Sequence, residues 1–81
     1  MKIQFMTTSG CHLCEQAYQM VQYLLHNEPA LAKKISLEVV EISSDDELVE
    51  IYGIRIPVLV RNRDELGWPF ELQDLRSWLV S

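Results

Sequence analysis

The apolar residues of this chain change period near its start, from every second residue to helical spacing, and that switch restricts the fold more than any other feature. Lys2 to Met6 alternates with Ile3 and Phe5 on one face, as a short strand does, and runs into the turn-forming stretch Thr7-Thr8-Ser9-Gly10. From Cys11 onward, Leu13, Ala17, Met20, Val21, Leu24 and Leu25 recur at helical spacing while Glu15, Gln16, Gln19 and Gln22 fall largely on other faces. The spacing predicts a helix from about Cys11 to His26. Pro29 argues against its continuing past Glu28, because a proline disfavours the helical conformation of the residue before it.

Leu37 to Ile42 is rich in β-branched residues and reads as a second strand, joined to the helix by Ala30 to Ser36. Strand, helix and strand make a βαβ unit. Ser44 with Glu47 fits a capping box, Leu48, Ile51 and Tyr52 give a short apolar face, and Gly53 closes that helix. Val58 to Arg61 and Glu65 to Trp68 read as an antiparallel pair joined by Asn62-Arg63-Asp64. Leu72, Leu75, Trp78 and Leu79 define a last amphipathic helix. The order β-α-β-α-β-β-α predicts an α/β domain with a mixed sheet and helices on both faces. Gln4 would then lie in a central strand, where its amide needs a partner or thin cover.

A chain of 81 residues has room for one core, so residues 1–81 are expected to form a single domain. Seven Lys and Arg against 12 Asp and Glu leave a net charge of -5, which disfavours nucleic acid as a partner. No apolar run approaches a membrane span, no signal-peptide pattern opens the chain, and a cytoplasmic monomer is expected.

Both cysteines lie in Cys11-His12-Leu13-Cys14, after a strand and at the start of a helix. A helix start leaves backbone N–H groups unpaired and carries the positive end of the macrodipole, so it stabilises a thiolate at Cys11. Cys14 is one turn along, close enough to attack a mixed disulfide formed at Cys11. The roles that follow are Cys11 as nucleophile and Cys14 as resolving thiol. Two other readings compete: both cysteines as small buried apolar residues, or a metal site. For the latter, only His12 and His26 are available as further Cys or His ligands.

The motif at the first strand-to-helix junction, the block Tyr52-Gly53-Ile54-Arg55-Ile56-Pro57-Val58-Leu59-Val60, the hairpin and the closing helix resemble the glutaredoxin and thioredoxin superfamily over nearly the whole chain. The short length and Gly67-Trp68-Pro69-Phe70 resemble, more narrowly, the small bacterial glutaredoxin-like proteins. The resemblance implies a thioredoxin fold with a four-stranded mixed sheet, and thiol-disulfide exchange through Cys11 and Cys14. It also implies a cis bond before Pro57 facing the cysteines, and an Ile56 backbone that pairs with substrate.

Two departures stand out. Where glutaredoxins hold glutathione with a Gly-Gly and an acidic residue, this chain has Gly67-Trp68-Pro69-Phe70-Glu71, and where they commonly carry Thr it has Arg55. Arg55 would face Cys11, grip a substrate carboxylate or lie solvated; His12 resembles the histidine of other dithiol motifs, one position removed. Arg55, Ile56, Pro57 and His12 are therefore the expected substrate-contacting residues. No metal or organic cofactor is expected, with glutathione or a thioredoxin-reductase-type enzyme as reductant and a disulfide-containing protein or small thiol as partner. The alternatives in function are a non-catalytic binding module of the same fold and a metal- or cluster-binding protein. The two tryptophans, Tyr18 and Phe70 read as packing residues.

Overall fold

In the computed structural model, which describes residues 1–81, the early strand lies inside the sheet. β1 (Lys2–Thr7) pairs in parallel with β2 (Ser36–Glu41) and antiparallel with β3 (Val58–Arg61), which pairs antiparallel with β4 (Asp64–Gly67). The order across the sheet is β2-β1-β3-β4. Four helices surround it: α1 (His12–Asn27), α2 (Pro29–Ala32), α3 (Asp46–Tyr52) and α4 (Leu72–Val80).

The two-residue alternation of β1 and β3 divides the core into two layers. Ile3, Phe5 and Leu59 pack with Ala17, Val21 and Leu24 of α1 and with Leu75 and Leu79 of α4. Met6, Val58 and Val60 point the other way, onto Ile42 and onto Tyr52 of α3. This second layer is short. It leaves Gln4 half-exposed, and its Nε2 donates to Glu38 Oε1 at 3.3 Å across the β1–β2 register. Thin cover and a cross-strand partner together accommodate an amide in a central strand.

The structure differs from the sequence reading at several boundaries. The connection after α1 contains α2, begun by Pro29, whose missing N–H costs nothing in a first turn and whose Leu31 reaches the core. β2 ends at Glu41, and Ile42–Ser44 form a 3-10 turn. Asp45, not Ser44, caps α3, with Oδ1 accepting from the N–H groups of Glu47 at 3.0 Å and Leu48 at 3.3 Å. Gly53 ends α3 at a right-handed φ of -50°, so its glycine is not required by a left-handed turn; a Cβ there would meet the Val49 carbonyl oxygen. The hairpin link is two residues, Asn62-Arg63, with Asn62 at φ 55°, a conformation that asparagine tolerates. No helix is long and apolar enough to cross a membrane.

Candidate active site

β1 and β2 run in the same direction, so Thr7 and Glu41 end at the same edge of the sheet, and there the chain turns into α1. Gly10 makes that turn at φ +79°, a left-handed conformation that a residue with a side chain adopts only with strain. Cys11 follows as the N-cap of α1. Its Sγ accepts the Cys14 backbone N–H at 3.1 Å, and the two residues are joined as a disulfide with Cα atoms 5.2 Å apart. Cys14 is 3% exposed, whereas Cys11 is only partly covered. The pair is therefore asymmetric in access, with the outer sulfur at the helix end.

Glu41 anchors the loop before Cys11, a role that the sequence reading missed. Its Oε1 accepts from the Ser9 N–H at 2.9 Å and the Ser9 hydroxyl at 3.2 Å, while Oε2 accepts from the Ser43 N–H at 3.0 Å. These bonds, that of Ser43 foremost, pull the carboxyl from its usual 4.5 down to about 2. The only local sequence signal was Ser43 two residues on; Ser9 lies 32 residues away.

Because the folded value is the lower one, the anchor's contribution to stability is complete above about pH 4.5 and is lost as the pH falls through 2. We expect the Ser9 and Ser43 amide resonances to titrate together with a midpoint near 2. A common midpoint near 4.5 would contradict the anchor.

Two depressions flank the motif. One, of about 330 Å³, is lined by Cys11, Cys14, Glu15, Phe5, Tyr18 and Val39 together with the Thr7–Gly10 loop. Tyr18 is thus not packing alone: its ring lies 5.7 Å from that of buried Phe5, yet it is 37% exposed at the recess. The other depression, of about 440 Å³, lies between Leu13 of the motif and Arg55, Ile56, Glu65 and Trp68. The Ile56–Pro57 and Trp68–Pro69 peptides are cis, and Pro57 is fully buried. Trp68 meets Phe70 edge-on at 5.1 Å, and Trp78 packs under Arg61 at 4.3 Å.

Of the residues expected to meet substrate, Arg55 and Ile56 line the second depression with Leu13, whereas His12 projects into solvent, its side chain 93% exposed and its Nδ1 3.9 Å from Glu15 Oε2. Arg55 is engaged on three sides. Its Nη1 donates to Glu65 Oε1 at 2.8 Å, its Nε donates to the Ile51 carbonyl at 3.1 Å, and its guanidinium lies 5.1 Å from the Tyr52 ring centroid. The Glu65 bond pushes its already high pKa further up. The groove therefore sees a neutral ion pair where the sequence suggested a lone cation. No group of three or more His, Cys, Asp or Glu side chains is placed to hold a metal ion.

Comparison with known proteins agrees with this architecture. An X-ray structure of the structural genomics target protein XcR50 from X. campestris is 34% identical, with 96% of this chain and 95% of that chain covered and a TM-score of 0.76. The germline-specific thioredoxin Deadhead from Drosophila melanogaster (18% identity, 98% and 77% covered, TM-score 0.63) has the same fold. So does thioredoxin 1 from Thermosipho africanus (14% identity, 99% and 96% covered, TM-score 0.61). No curated protein matches the chain. The family model described as Glutaredoxin-like domain (DUF836) matches residues 2–80, and with a thioredoxin fold that carries its cysteine pair at the first strand-to-helix turn, the chain belongs to that glutaredoxin-like family.

Proposed function

We propose that this protein is a dithiol-disulfide oxidoreductase that reduces small-molecule or protein disulfides, with Cys11 as nucleophile and Cys14 as resolving thiol. The observation that carries the reading is the position of Cys11 at the N-cap of a 16-residue helix, its sulfur facing the Cys14 N–H, with Cys14 buried one turn behind. In the reduced state the same N–H and the positive end of the helix dipole face the Cys11 thiolate and favour it over the thiol.

The thiolate of Cys11 attacks one sulfur of the substrate, forming a mixed disulfide as the substrate S–S bond breaks and its other half leaves as thiolate. Cys14, deprotonated, then attacks Cys11 Sγ, closes the intramolecular disulfide and releases the second half. Two electrons pass from the dithiol to the substrate, and glutathione or a reductase returns them. Leu13, Ile56 and Trp68 form the apolar wall along which an extended substrate would lie, with Pro57 buried behind Ile56, and a reducing compartment such as the cytoplasm suits the cycle.

Trapping tests the roles. Cys14→Ser should accumulate a mixed disulfide at Cys11 when mixed with a disulfide substrate, and in the reduced wild type iodoacetamide should label Cys11 at least about tenfold faster than Cys14. Equal labelling of the two, with no trapped species, would overturn the assignment.

A further inference from the structure

The charges of this molecule are sorted by its topology. Lys2 opens β1, Lys33 and Lys34 precede β2, and Arg61 and Arg63 lie at the β3–β4 turn; these five cations stand at the edge of the sheet opposite the dithiol. Arg76 is bound to Glu28, beyond the far end of α1, at 2.8 Å. Of the seven Lys and Arg, this leaves only Arg55 at the dithiol edge, and Glu65 neutralises it at 2.8 Å.

Of the 12 acids, Glu28, Glu38 and Asp64 pair with cations away from the dithiol, whereas others stand at its edge with no Lys or Arg partner. Glu15 lines the recess beside the two cysteines and is 71% exposed, Glu41 ends β2 at the same edge, and Asp45, Asp46 and Glu47 begin α3 just beyond it. His12 projects into solvent away from both grooves, its Nδ1 3.9 Å from Glu15 Oε2. A substituent that enters from the recess meets Phe5, Tyr18, Val39 and Glu15; one that enters from the other groove meets Leu13, Ile56, Trp68 and a neutral ion pair. Neither approach offers an unpaired guanidinium or ammonium group to an anion.

We propose that the dithiol site selects disulfides with cationic or neutral substituents and discriminates against anionic ones, oxidised glutathione included. The inference rests on the oxidoreductase reading above and adds the substrate class to it. An acidic approach raises the local concentration of a cation and lowers that of an anion before any bond is made, so the selectivity resides in the encounter equilibrium and is screened by salt.

The test compares three disulfides as oxidants of the reduced protein near neutral pH: cystamine as the dication, bis(2-hydroxyethyl) disulfide as the neutral compound and oxidised glutathione as the anion. Each rate is divided by that of dithiothreitol with the same disulfide, which removes the leaving thiol's own reactivity. We expect the normalised rates to fall in that order, cystamine exceeding oxidised glutathione by about tenfold or more at low salt. The gap should shrink severalfold toward ~0.5 M salt.

Glu65→Gln, which uncovers the Arg55 charge, should raise the oxidised glutathione rate and lower that of cystamine. Normalised rates that are equal, or higher for oxidised glutathione, would overturn the charge selectivity while leaving the oxidoreductase reading intact. Failure of all three disulfides to oxidise the protein would instead overturn that reading itself.

Discussion

Cys11→Ser should reduce turnover with any disulfide to below about one thousandth of the wild-type rate, with the fold unchanged. A serine hydroxyl does not ionise near neutral pH, and the helix end that favours a thiolate cannot make it a comparable nucleophile. Cys14 cannot take over, because it is 3% exposed, one turn inside α1, behind the position from which Cys11 meets the solvent. The small recess on its flank does not change this, since Cys11 lines the same opening. Far-UV circular dichroism and a melting curve unchanged from that of the reduced wild type would separate loss of chemistry from loss of fold. A Cys11→Ser variant that kept a tenth or more of the activity would mean that the nucleophile is elsewhere.

Phe5→Ala should cost about 3–5 kcal/mol of folding stability in urea denaturation. At ~0.05–0.15 kcal/mol per residue, a chain of 81 residues has only about 4–12 kcal/mol in total, so the variant should lose from about a quarter to all of its stability. Phe5 is 1% exposed in the central strand, packed in the layer that holds α1 and α4 to the sheet. Its ring also supports Tyr18, so the cavity left behind would open into the recess beside the cysteines. Phe5→Leu, which keeps most of the volume, should cost less than about 1.5 kcal/mol and retain exchange activity. A loss below about 1 kcal/mol for Phe5→Ala would show that this layer is not the principal core.

Both effects concern residues whose places in the fold were legible in the sequence, for a physical reason. The alternation of Ile3 and Phe5 and the helical spacing from Ala17 to Leu24 reflect burial against one continuous face, and burial imposes a period that a single sequence displays. The Cys-x-x-Cys motif gained meaning from its position between those two periods. What the sequence withheld depends on contacts between distant residues. Glu65 lies 10 residues from Arg55, and nothing local to either shows that the hairpin folds one onto the other. Glu41 carried almost no signal of its role because its Ser9 partner belongs to a loop 32 residues earlier. Ser44 read as the cap of α3, but the chain places Ser44 in the Ile42–Ser44 turn and leaves Asp45 to cap the helix. α2 was invisible because four residues are too few to show a helical period.

The most direct test of the account is a redox titration of Cys11 and Cys14 against defined thiol-disulfide buffers, with the fraction of free thiol read by alkylation and mass spectrometry. A single two-electron transition between dithiol and intramolecular disulfide is expected, with a midpoint between roughly -200 and -270 mV, since no unpaired Lys or Arg at the dithiol edge adds to the helix end in stabilising the reduced form. Two thiols that oxidise independently, or a midpoint near ~-120 mV, would contradict it.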